Sequence, residues 1–133
     1  MAGVLIRQGE QILLEAFVNK TAPQSLVLRL FTNNWTPAET DTESAATEAS
    51  GNGYAHCDID TGSSWTFTGA DPSSITYAEQ EFAFTGALGN VYGYYITQVT
   101  SGKAVIAERF TDGPYNIQNN GDKIKVTPTF TVE

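Results

Sequence analysis

Apolar side chains recur at helical spacing near the start of the chain and then give way to short alternating runs. Ile12, Leu13, Ala16 and Phe17 fall on one helical stripe that Leu14 and Val18 widen. Gln11, Glu15 and Asn19 fill the opposite side, so the spacing predicts a short amphipathic helix over residues 9–20 that ends before Pro23. Ahead of it Val4-Leu5-Ile6 forms an apolar hook where chain ends are commonly polar and disordered. Hook and helix together make an N-terminal arm, residues 1–20. Such an arm either covers an open end of its own domain or docks on a neighbouring subunit.

From Ser25 onward the pattern is that of strands. Leu26-Val27-Leu28-Arg29-Leu30-Phe31 is almost continuously apolar, which predicts burial on both faces. Asn33-Asn34-Trp35-Thr36-Pro37 breaks the run, and residues 38–52, rich in Thr, Ala, Ser and acid, carry no apolar period. Residues 35–53 thus read as a long acidic loop, and a loop of that length is a candidate contact surface. Further strands are predicted over residues 54–59, 64–68, 75–85, 91–99, 104–110 and 123–132, separated by Gly, Asn, Asp and Pro turn signals. Ser101-Gly102 is placed to turn residues 91–99 directly into 104–110 as a hairpin. Within residues 123–132, Ile124, Val126, Pro128, Phe130 and Val132 share a face, and Pro128 removes a ladder donor, the mark of an edge. No long-period repeat is present. The expected fold is mainly β: an antiparallel β-sandwich or partly open barrel over residues 25–133, with the short N-terminal amphipathic helix attached.

Composition narrows the function. Seven Lys and Arg stand against fifteen Asp and Glu in 133 residues, a net charge of −8 with a pI near 4.4, which argues against nucleic acid or an anionic membrane as partner. No run approaches a bilayer span, and the opening residues lack a leader-type apolar core with a cleavage site; retention in the cell that makes the protein is the expectation. Cys57 stands alone and reads as a small core residue. A single histidine, His56, excludes any metal site or relay needing two imidazoles in one chain. Asp58, Asp60 and Gly62 weakly resemble the start of a calcium loop, but Thr61 and Trp65 break the pattern. Glu79 and Glu81 share a strand face and are the one carboxylate pair suited in principle to glycoside hydrolysis, although alternating charge on a solvated strand is the commoner origin. No cofactor, metal or catalytic site is therefore assigned, and a non-enzymatic role is expected.

Most aromatic residues lie in predicted strands, where packing is their default role. Trp35 differs, because its loop context would make it an exposed anchor for a sugar or a protein. Arg29 and Lys103 bracket a long stretch with no Lys or Arg and nine acids, so basic ends flank an acidic middle. A chain so polarised suits a symmetric oligomer in which basic ends meet acidic middles, and solubility alone also accounts for the acid excess.

The segments Leu26-Val-Leu-Arg-Leu-Phe-Thr-Asn-Asn, Thr36-Pro-Ala-Glu-Thr-Asp-Thr, Tyr77-Ala-Glu-Gln-Glu-Phe and Val91-Tyr-Gly-Tyr-Tyr, in that order, resemble small virion proteins of tailed bacteriophages. The likeness is to capsid cement or decoration proteins of cyanophage-like phages, and it runs from Gly9-Glu10 to the C-terminal strand. It implies a structural protein of the virion capsid, made in the host bacterial cytoplasm. It also implies a homo-oligomer, a trimer in such proteins, that staples neighbouring major capsid subunits through terminal arms. On that reading the protein-interface residues are Val4, Leu5, Ile6, Ile12, Leu13 and Phe17 of the arm, with Trp35 of the acidic loop as a second contact. A tail or head-to-tail connector component is the alternative within the virion. A carbohydrate-binding β-sandwich, resting on Trp35, is the alternative outside it.

Overall fold

The computed structural model describes residues 3–59, 62 and 64–132, without the side chain of Val132. Two residues of the apolar hook form β1 (Val4–Leu5), followed by α1 (Arg7–Phe17) and, after an exposed connector, β2 (Leu26–Phe31). The chain continues through β3 (Cys57–Ile59), β4 (Thr66–Thr68), β5 (Ser73–Thr76), β6 (Gln80–Ala83), β7 (Gly89–Val91) and β8 (Gly93–Gln98). It ends with β9 (Ala104–Arg109), β10 (Tyr115–Ile117), β11 (Lys123–Val126) and β12 (Thr129–Val132). Among the described residues the fold is mainly β, with antiparallel sheets, one α-helix near the N-terminus and no closed barrel, consistent with a β-sandwich-like fold.

The largest sheet has the order β1-β9-β8-β2-β3, with β2 paired to β8 from Leu26↔Gln98 to Phe31↔Gly93. The Ser101-Gly102 turn joins β8 to β9 as an antiparallel hairpin, and Gly102 takes φ 72°, a backbone state cheap only for glycine. Three smaller pairings, β11-β6, β10-β7 and β12-β5-β4, supply the second layer. Between the layers Leu28, Leu30, Tyr94, Ile96 and Ile106 of the large sheet meet Phe82, Phe84, Val91, Ile117, Ile124 and Val126 in one apolar core.

The near-continuous apolar run of β2 is explained by burial on both sides, for Val27, Leu28, Leu30 and Phe31 are all buried. The second side is covered by the acidic loop itself. Trp35 packs edge-on against Phe31 at 5.1 Å and near Tyr95, with Ala45, Ala46 and Ala107 completing a separate cluster. Its indole Nε1 donates to Asp41 Oδ2 at 2.8 Å, while Asn33 Nδ2 donates to the Ala45 carbonyl and Asn33 Oδ1 accepts from Thr47 N. Arg29 clasps Glu48 with Nη1 2.9 Å from each carboxylate oxygen, and Tyr54 Oη donates to Glu48 Oε2 at 2.8 Å. Residues 35–53 are therefore a lid on the sheet. The expected loop exists as irregular backbone with a short 3-10 turn at Glu43–Ala45, but Trp35, Ala45, Ala46 and Ala49 face inward.

Three predicted strands are each cut in two. Residues 75–85 divide at Tyr77–Glu79, 91–99 divides at Tyr92 with Val91 left in β7, and 123–132 divides at Thr127-Pro128. Pro128 is fully buried, and its carbonyl accepts from Tyr77 N at 2.9 Å, so the two breaks face each other. β11 and β12 each lie at the edge of their own small sheet, as the proline implies.

Candidate functional site

Helix α1 begins two residues before the predicted start, and no side chain caps it. The first backbone amide instead donates to the acidic loop, Arg7 N to Glu39 O at 2.8 Å, and Arg7 Nη2 lies 3.7 Å from Glu39 Oε1. The helix stops three residues early because Asn19 turns left-handed at φ 55°. There Asn19 N donates to Ala16 O and Lys20 N to Glu15 O, the paired closure that satisfies terminal carbonyls. Around Glu15, Gln11 Nε2 and Thr21 Oγ1 donate to the carboxylate and Lys20 stands 3.8 Å away. These two hydrogen bonds, with smaller help from Lys20 and Lys103, hold its carboxyl below the ordinary range.

The hook is consumed within the chain. β1 pairs with β9 at Val4↔Ala107 and Leu5↔Ile106, and Ile6 N donates to Val105 O at 3.2 Å. Val4 and Leu5 are half-buried, and Ile6 is fully buried. Gly9 brings the helix onto β9 so closely that a Cβ there would lie 2.2 Å from Val105 O. Two readings of the arm stood open, and the hook takes the one in which it covers its own domain.

The helix behaves differently. Its stripe is wider than the surface available to bury it: Gly9, Ile12 and Ala16 turn toward the sheet, while Leu13, Leu14, Phe17 and Val18 are left 51%, 65%, 86% and 66% exposed. Beside Leu13 runs an open groove of about 560 Å³. One wall is α1, and Ile75 and Phe130 of β5 and β12 line it with Phe67 of β4 and Trp65. Among the described residues none of those lining the groove is charged. Phe67 is 68% exposed at the edge of its sheet, contrary to the core role expected of a strand aromatic.

Of the seven interface residues expected from sequence, Leu13 and Phe17 lie on the exposed face, Leu5 and Ile12 line the groove, and Val4 is half-buried in β1 beside β9. Ile6 and Trp35 are corrected: both are buried in their own chain, Trp35 at 8% exposure, because the hook enters the large sheet and the loop folds back upon it. Leu14, Val18, Phe67, Ile75 and Phe130 belong to the surface and were not expected there. The helical pair was legible as the widening of the stripe, whereas the strand residues carry no sequence signal that separates a groove wall from a core.

The other candidate groups do not converge. Glu81 Oε1 is 3.1 Å from Lys123 Nζ on the neighbouring β11, and Glu79 lies exposed in the irregular segment before β6. His56 Nε2 is 3.7 Å from Asp58 Oδ1 at an exposed strand end, while Asp60 and Thr61 lie outside the described residues. Burial, and next the charge of Asp58, push the Cys57 thiol up, away from thiolate character. Burial likewise raises the Glu108 carboxyl, against the effect of Tyr94 Oη, which donates to Glu108 Oε2 at 3.0 Å. No group of three or more His, Cys, Asp or Glu among the described residues could hold a metal ion, and no helix among them is long and apolar enough to cross a membrane.

Compared with protein-family models, with curated proteins and with solved structures, the chain gives no match.

Proposed function

We propose that this chain is a non-catalytic structural subunit that joins a larger protein assembly through the outer face of α1 and the groove beside it. The observation that carries the reading is the excess apolar stripe. Three side chains of the helix, and Val18 just beyond its end, remain more than half exposed. Large contiguous apolar surface on a folded domain marks an interaction site. A partner must also tolerate a strongly acidic chain, which favours protein over nucleic acid or an anionic membrane.

Among protein assemblies the sequence resemblance points to the virion of a tailed bacteriophage, with a capsid cement or decoration role and the major capsid protein as the larger partner. Many identical copies make such attachment strong even when each contact is weak. A tail or connector position uses the same surface at a different copy number. The carbohydrate-binding alternative loses the residue that supported it, since Trp35 is buried and its indole N–H is bonded to Asp41.

Quantitative mass spectrometry of gradient-purified virions, produced from the genome that encodes this chain, tests the reading. A cement protein is expected in many copies spread over the particle, a connector in the few copies that close one ring. Absence from the particle overturns the virion assignment. Phe17→Gln should fold as the parent does and incorporate poorly, and undiminished incorporation would remove the helix face from the proposal.

A further inference from the structure

We draw no further inference here: the strongest candidate, the apolar groove between α1 and the β12-β5-β4 sheet with the exposed side chains of the helix beside it, belongs to the surface already described, and nothing in the structure shows what covers it.

Discussion

Gly9→Ala sets two general tendencies against each other. In an exposed helix interior alanine is better than glycine by about 1 kcal/mol, so helix propensity alone makes the variant more stable. In this fold the new Cβ would sit 2.2 Å from Val105 O, 2.9 Å from Val105 C and 3.0 Å from Leu5 Cδ1. Ordinary contact begins near 3.4 Å, so α1 must retreat by about 1 Å from β9. Retreat stretches the bond from Ile6 N to Val105 O, worth about 1 kcal/mol, and overpacking of this kind costs about 1–3 kcal/mol. Subtracting the propensity gain leaves a net loss of about 1–3 kcal/mol. In a chain of this size that lowers Tm by roughly 3–12 °C. Thermal unfolding followed by far-UV circular dichroism measures it. A variant as stable as the parent, or more so, refutes the close docking of the helix on β9 and with it the placement of the groove.

Three further outcomes follow from the packing. Glu48→Ala should cost about 2–3 kcal/mol in urea unfolding, because Arg29 and Tyr54 lose a half-buried charged partner at once. Trp35→Ala should cost about 3–5 kcal/mol, the penalty of removing a large core aromatic, and an effect below about 1 kcal/mol would mean that the lid is loose. Glu108→Gln should raise Tm at pH 7, because burial pushes the native carboxyl pKa above its ordinary value and the charged form is penalised once pH exceeds that raised pKa. The advantage should shrink as pH falls through the raised value and vanish below the ordinary carboxylate range, where the native glutamic acid is also neutral; a pH series of melting curves shows whether it does.

Much of the large sheet could be read directly from residue order. The apolar run Leu26–Phe31 has the bounds of β2, and Ser101-Gly102 marks the β8-β9 hairpin, because both signals are local. The smaller sheets were harder. β10 is three residues between two turns, too short for alternation to register, and the breaks at Tyr77–Glu79 and Thr127-Pro128 arise where two chains bend together around a shared hydrogen bond. Trp35 was misplaced for a related reason: Asn, Pro and acidic neighbours mark irregular backbone truthfully, but they do not say whether that backbone stands in water or folds over a sheet. The candidate surface was half legible. Periodicity names the apolar residues of a helix, yet which of them stay exposed depends on how much sheet is there to receive them, and here β9 receives the side bearing Gly9, Ile12 and Ala16.

The bond from Arg7 N to Glu39 O ties together two segments that are far apart in sequence. Glu43 adds to it by accepting from Ala104 N at 3.3 Å on the strand beneath the helix. Opening the lid removes a hydrogen bond from the first turn of the helix, and lifting the helix removes one of the bonds that hold the lid. Amide exchange should therefore report a shared opening free energy for residues of α1 and residues 38–46. A binding event at either segment would then be felt at the other without any change in the sandwich between them.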